Sequence, residues 1–255
     1  MTSTTSDAQL PRVHSFLSRF HRRQAARTVD FPGGFAGLDD AYAHSRGNNH
    51  LVVDGETEPE ALPGHAEEAL GHLPFRLVYV LDETVGTACR EPMARAGYDC
   101  STRLIMRHTG PVPEAGGARE VDLDALRGPL AVSWRRFAPQ LTDEQVHHLV
   151  ERQAARKRGA EDVRFLASHT AEGEVAAWAD LYLEAGIAQL ESLVTAEAHL
   201  GKGHAGRVLD TALRTAADAG CALRFLTAHP DDWPHTWYAR QGFTTIGSVH
   251  VFERA

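Results

Sequence analysis

Leu190-Glu191-Ser192-Leu193-Val194-Thr195-Ala196-Glu197-Ala198-His199-Leu200-Gly201-Lys202-Gly203-His204-Ala205-Gly206 is the stretch on which the reading of this chain turns. Leu190 to Thr195 carry the alternation of a β-strand, and a glycine-rich turn then opens a helix. Glycines let the main chain approach an anion closely, and the unpaired N–H groups and positive dipole end of a helix suit a phosphate or pyrophosphate. Three nucleotide-binding patterns compete for such a segment. A Walker A loop fails, because no Gly-Lys-Ser/Thr closes the pattern. The G-x-G-x-x-G of dinucleotide folds is met literally by Gly201, Gly203 and Gly206. In those folds the first glycine stands directly at the strand end, whereas here Ala196 to Leu200 intervene. Too little chain follows Gly206 for a doubly wound sheet.

The third pattern fits better. The segment resembles the acyl-CoA loop of the GNAT superfamily, Gln/Arg-x-x-Gly-x-Gly/Ala after a strand that often reads Glu-x-Leu-x-Val. Glu191, Leu193 and Thr195 fill the strand, and Gly203 and Ala205 fill the loop. Leu200 stands where the family usually has Gln or Arg, a departure at a position whose backbone N–H remains. A second motif, Asp231-Asp232-Trp233-Pro234-His235-Thr236-Trp237-Tyr238-Ala239-Arg240-Gln241-Gly242-Phe243, resembles the family's closing signature, in which Asn opens a helix and Tyr-x-x-x-Gly-Phe ends it. Tyr238, Gly242 and Phe243 match, and Asp231 takes the Asn position. A merely flexible glycine-rich helix start gives no reason for the second motif to follow in the family's order and separation. The resemblance covers residues 118–255. It implies an α/β (α+β) fold with a central mixed, mostly antiparallel sheet flanked by helices. It also implies acetyl-CoA as acyl donor, held by Leu193, Val194 and Thr195, by Leu200, Gly201, Lys202, Gly203, His204, Ala205 and Gly206, and by Asp231 and Tyr238.

Outward from this core, the pattern divides the chain. Val13, Phe16, Leu17 and Phe20 fall at helical spacing beside Arg12, Arg19, Arg22 and Arg23, which predicts an amphipathic helix in an N-terminal arm, residues 1–27. Its arginine-rich, acid-poor face resembles a transit peptide, and a helix packing its Phe and Leu face on the body explains it as well. Residues 28–110 alternate between strands at 50–53, 76–81 and 98–106 and helices after Pro63-Gly64 and through Met93. Met93-Ala94-Arg95-Ala96-Gly97-Tyr98 echoes the helix-Gly-aromatic ending, with no G-x-G/A loop before it. This half resembles the degenerate first repeat of tandem GNAT proteins, a smaller GNAT-like α/β domain; an unrelated α/β lid is the other reading. Gly110-Pro111-Val112-Pro113-Glu114-Ala115-Gly116-Gly117 is dense in turn formers, and residues 111–117 are read as a linker. Beyond it, 123–137 and 142–156 predict helices, the second opened by a capping box at Thr142 and Gln145. A hairpin of 163–168 with 174–183, a strand at 188–195, a helix at 204–219, a strand at 222–227, a short helix at 233–241 and a closing strand or pair of strands at 243–252 complete the pattern.

The 255 residues are 43% hydrophobic and 24% charged, an ordinary globular composition. No apolar run approaches the ~18 residues of a membrane span, and no signal sequence is evident, so a cytoplasmic protein without a membrane partner is expected. Cys89, Cys100 and Cys221 are widely spaced and odd in number, which argues against a disulfide framework or a cysteine zinc site. The formal net charge of -8 argues against nucleic acid as a partner and favours cationic small molecules. A homodimer is left open. His147-His148 has no partner at i+4 and His229 stands beside Pro230 and Asp231, so no metal site is expected.

The resemblance implies direct acyl transfer to an amine without a covalent enzyme intermediate. An aliphatic amine of pKa ~10.4 is mostly protonated near neutral pH, so a base must act first. Glu191, acting through water, is the candidate base, and a strand carboxylate simply paired with a cation is the rival reading. The family places an oxyanion donor, a backbone N–H, on this strand near Val194. Tyr238 is then the acid for the leaving thiolate, or an ordinary core tyrosine. Trp178, Tyr182 and His229 are candidates for the acceptor groove, and Trp178 and Tyr182 equally suit a core. The reaction expected is N-acetyl transfer from acetyl-CoA to a primary amine of a small molecule. A non-catalytic acyl-CoA sensor or pairing module of the same fold is the alternative.

Overall fold

The computed structural model describes residues 9–255; residues 1–8 of the expected arm lie outside them. In chain order the elements are α1 (Leu10–Gln24), β1 (Arg27–Phe31), β2 (Gly34–Leu38), β3 (His50–Val53), α2 (Leu62–Leu70), β4 (Arg76–Val80), α3 (Glu83–Arg95), β5 (Asp99–His108), β6 (Arg119–Val121), α4 (Leu123–Phe137), α5 (Asp143–Glu151), α6 (Gln153–Arg156), β7 (Asp162–His169), β8 (Val175–Glu184), β9 (Ile187–Thr195), α7 (His204–Asp218), β10 (Leu223–Ala228), α8 (Pro234–Arg240) and β11 (Phe243–Arg254). Short 3-10 turns stand at Asp40–Tyr42, Arg46–Asn48 and Glu197–His199. The chain forms two compact units, one of the residues up to Met106 together with Thr227–Ala255, the other of Arg107–Leu226. α8 and most of the sequence's second motif therefore belong to the first unit.

In the first unit the strand order is β1-β2-β3-β4-β11-β5. β3 and β4 pair in parallel, while β11 pairs antiparallel with β4, Phe252 opposite Val78. Leu51, Val53, Leu62, Leu70, Val78, Val80, Met93 and Phe252 are all buried in one core. Burying each such side chain contributes roughly 1.5–3 kcal/mol. α1 forms where the arm's periodicity predicts it, with Val13, Phe16, Leu17 and Phe20 turned inward. The β1–β2 hairpin went unread in the sequence because β1 is short and almost wholly exposed, so it carries no apolar alternation. His50 of β3 is 1% exposed, with Nε2 3.0 Å from His21 Nδ1 and Nδ1 3.2 Å from the Arg46 carbonyl. Burial pushes its pKa down to about 4, against the smaller opposing effect of the Arg46 carbonyl.

In the second unit the strand order is β10-β9-β8-β7-β6, antiparallel except for the parallel β9–β10 pair. One face of this sheet carries α4 and α5, with Leu126, Leu130, Val146, Phe165 and Trp178 in the core between. α7 turns Val208, Leu209, Ala212, Leu213 and Ala216 inward. The capping box at Thr142 and Gln145 is present, but the helix it opens breaks at Arg152 into α5 and α6. Gly116, at the end of the turn-rich stretch, lies against α7, where an added Cβ would stand 1.9 Å from Thr211 Oγ1. The Ala118 N–H donates to that hydroxyl at 3.0 Å. The glycine is thus required by close packing, and the edge strand β6 begins three residues later at Arg119. Among the described residues no helix is long and apolar enough to cross a membrane.

Candidate active site

β9 is regular to Glu191 and then breaks register. Asp180 pairs with Glu191 and Trp178 with Val194, so Ser192 and Leu193 together oppose Ala179. That is a β-bulge, and Ser192 at its first position has φ 56, a left-handed conformation that costs a non-glycine residue about 1–2 kcal/mol. Ladder pairing with β10 ends at Leu226 opposite Leu190, so from Glu191 onward the edge of β9 away from β8 has no ladder partner in β10. Leu193, Val194 and Thr195, half-buried, lie on this segment.

After Thr195 the chain passes through the 3-10 turn into Leu200, Gly201, Lys202 and Gly203 and enters α7 at His204. Gly201 has φ 72 and Gly203 φ 80, and a Cβ at either would meet nothing within 4 Å. Backbone conformation, not crowding, demands glycine there, and the space in front of the loop is open. Gly203 is the N-cap of α7 and no side chain among the described residues caps this end. Its first-turn N–H groups, those of His204, Ala205 and Gly206, therefore offer donors at the positive end of the helix. Lys202 adds a cation, its Nζ donating to the Ala198 carbonyl at 2.8 Å. Leu200 is 54% exposed. His204 is buried and its Nδ1 lies 2.8 Å from Ser168 Oγ. Burial, then the neighbouring Arg207, His199 and Lys202, lower its pKa.

Glu191 is half-buried and stands opposite Asp180 in the β8–β9 register. Gln189 Nε2 donates to its Oε2 at 3.0 Å. Burial raises the Glu191 pKa and Asp180 raises it further, while Arg156, Gln189 and the Ser192 backbone pull it down. The balance leaves it above the ordinary carboxylate range. Asp180 is fully buried and ion-paired with Arg156, and Tyr182 Oη donates to Asp180 Oδ2 at 3.0 Å. Burial pushes the Tyr182 phenol well above its usual value, so it stays protonated as that donor. Sequence reasoning missed Arg156, Asp180 and the bulge. A signal for Asp180 existed: it is the lone charge inside Val175-Ala176-Ala177-Trp178-Ala179-Asp180-Leu181-Tyr182-Leu183.

A cavity of about 1060 Å³ opens between α4 and strands β8 and β9. Leu130, Trp134, Phe137, Trp178 and Val194 give it apolar walls, and Glu174 and Glu197 contribute carboxylates. Ser192 and Thr195 reach its wall; Glu191 does not. Trp178, 1% exposed, is both core and cavity wall, whereas Tyr182 is buried with its hydroxyl committed to Asp180 and Arg156.

The remaining sequence-predicted residues lie in the other unit. Tyr238 is half-buried on α8, its ring 5.1 Å from Trp237 and 5.8 Å from Phe243. Asp231 is exposed before that helix, and its N–H donates to His229 Nδ1 at 3.2 Å. Among the described residues no group of three or more His, Cys, Asp or Glu is placed to hold a metal.

The family model described as "Acetyltransferase (GNAT) family" matches residues 130–243. No curated protein matches the sequence. Among solved structures, a GCN5-related N-acetyltransferase from Kribbella flavida is similar at TM-score 0.65 and 14% identity, over 96% of this chain and 95% of that one. An acetyltransferase of the GNAT family from Colwellia psychrerythraea aligns at TM-score 0.56 and 14% identity, over 100% of this chain and 98% of that one. A conserved protein of unknown function from Staphylococcus epidermidis aligns at TM-score 0.63 and 11% identity, over 89% and 92%. At these identities the likeness is one of fold.

Proposed function

Residues 130–243 being a domain of the GNAT acetyltransferase family, we propose that the chain transfers an acetyl group from acetyl-CoA to a primary amine of a small molecule. The observation that carries the reading is the run of bulged strand, left-handed glycines and uncapped helix N-terminus from Glu191 to Gly206. It supplies backbone donors, a cationic end and open space, which is what a pyrophosphate needs. When bound there, acetyl-CoA supplies an acyl group activated as a thioester.

The chain's own residues divide the remaining work. Glu191, with a carboxyl less acidic than usual, accepts a proton from the incoming ammonium through water, because a raised pKa brings it nearer the operating pH. A backbone N–H of β9 near Val194 donates to the oxygen that gains negative charge. Tyr238 delivers a proton to the departing sulfur. The cavity beside β9, with Trp134, Phe137 and Trp178 in its walls and Glu174 and Glu197 among its polar groups, suits an amine on an apolar or ring-bearing body. The half before residue 111, lacking a glycine loop of its own, is proposed to be a degenerate repeat that binds no CoA.

Acetyl-CoA incubated with small amines (amino sugars, amino-acid derivatives, arylalkylamines) and with lysine-rich peptides, following free thiol, tests the proposal. Turnover of the small amines supports it. Preference for the peptides overturns the acceptor class, and CoA binding without thiol release from any amine supports the sensor reading, for which the exposed Leu200 in the loop is the specific observation.

A further inference from the structure

Arg156 lies on α6, in neither sequence motif, yet its guanidinium reaches both strands that carry the bulge. Its Nη1 is paired with the Asp180 carboxylate and lies 3.0 Å from Tyr182 Oη and 3.1 Å from Ser192 Oγ. The Arg156 side chain is 12% exposed and that of Asp180 0%. A buried arginine–carboxylate pair is weak evidence for stability, because desolvating both charges offsets most of their attraction and apolar replacements of similar volume often do as well. The network's position suggests another role. One arm of it ends on Ser192, the left-handed residue of the bulge, and Asp180 is the register partner of Glu191.

We propose that Arg156 is a positioning residue for acetyl transfer, holding Ser192 in its left-handed conformation and, with Asp180, fixing the charge environment of the Glu191 carboxylate. The inference rests on Glu191 as the proton acceptor. The bulge sets where β9 leaves its ladder, hence where the backbone groups of Leu193 to Thr195 point. A serine in that conformation needs a tether that glycine would not, and the bond from Arg156 to Ser192 Oγ is such a tether. The groups facing Glu191 are Arg156 from α6, Asp180 and Tyr182 from β8, and Gln189 and the Ser192 N–H along its own strand. Tyr182, buried and protonated, contributes no charge. Arg156 and Asp180 act on the carboxylate with opposite sign.

Opposite signs make the role separable from a structural one. In the full-length chain, the Glu191 carboxyl is titrated by carbon NMR, assigned by its disappearance in E191Q, alongside the pH profile of kcat/KM. Arg156→Gln removes the cation and should move the Glu191 midpoint up by about 1 unit or more. Asp180→Asn should move it down, and the double variant should return it toward that of the parent. Ser192→Gly added to Arg156→Gln should recover part of the lost kcat/KM without moving the midpoint, since glycine adopts the bulge conformation unaided. Midpoints that shift in the same direction, or not at all, in the two single variants overturn the electrostatic part; no recovery on adding Ser192→Gly overturns the tether. Should Arg156→Gln not fold, Arg156→Lys replaces it: the charge stays but the shorter side chain falls short of Ser192 Oγ, so the midpoint should hold while kcat/KM falls, and a moved midpoint with unchanged kcat/KM overturns the proposal. If no amine is acetylated by the parent chain, the function reading fails, and the NMR titrations still decide whether Arg156 and Asp180 control Glu191.

Discussion

Replacing Gly203 separates backbone strain from ligand chemistry, because two substitutions share the first and differ in the second. Gly203 has φ 80 and caps α7, and a Cβ there meets nothing within 4 Å. Gly203→Ala therefore causes no clash and suffers only the left-handed strain, about 1–2 kcal/mol. At roughly 2–4 °C per kcal/mol for a chain of this size, its Tm should fall by about 2–8 °C. Gly203→Glu carries the same strain, offset by about 0.3–1 kcal/mol because a carboxylate is favoured at a helix N-terminus. Its Tm should match that of the alanine variant or slightly exceed it. Binding behaves differently. The glutamate carboxylate occupies and repels where the pyrophosphate is proposed to sit, and each lost N–H bond to a charged oxygen is worth about 1.5–3 kcal/mol. Losing one or two bonds weakens CoA binding by about 10- to 10⁴-fold, whereas the alanine variant should stay within a few-fold of the parent. Calorimetric titration with CoA and thermal unfolding of both variants provide the check. A folded Gly203→Glu chain that binds CoA as tightly as Gly203→Ala would refute the placement of the anion at α7.

Three further outcomes are expected. Tyr238→Phe should lower kcat by about 10²-fold, the low end for a general acid because the leaving thiol, of pKa near ~8.5, can depart unaided, with CoA affinity nearly unchanged by titration. Glu191 has a raised pKa, so its basic form fills only above the ordinary carboxylate range; kcat/KM should rise with pH through that region, and Glu191→Gln should lose this limb and require higher pH, as pH-rate profiles would show. His50 has a folded pKa of about 4, depressed below its unfolded value near ~6.5, so its contribution to stability is complete above ~6.5 and lost as the pH falls toward 4; about 3 kcal/mol is at stake, and denaturant unfolding at pH 7 and 4.5 should show a smaller difference in His50→Gln than in the parent.

Local periodicity made most elements legible. The hairpin of β7 and β8 and the helix α7 were readable because their apolar residues repeat at intervals of two and of three to four. The glycine loop was readable because left-handed positions leave a composition signature at Gly201 and Gly203. Ser192 takes the same conformation without glycine, so its bulge left no trace. β6 and β1 are short edge strands with little burial, and nothing in their sequence separates them from loops. The pairing of β11 with β4 joins residues far apart in sequence and fixes the closing strand in the first unit, a fact no local pattern contains. Arg156 eluded the reading for a related reason: its partners Asp180, Tyr182 and Ser192 lie on two different strands, and only the folded register brings them to one guanidinium.

Whether the segment from Glu191 to Gly206 holds acetyl-CoA for transfer to an amine is decided by a single-turnover experiment with acetyl-labelled acetyl-CoA. With a small primary amine present, the label should appear on the amine nitrogen in step with thiol release, should never be found on the protein, and should be lost in Gly203→Glu. Labelled protein, or donor that stays intact in the bound complex with every amine offered, would contradict that role.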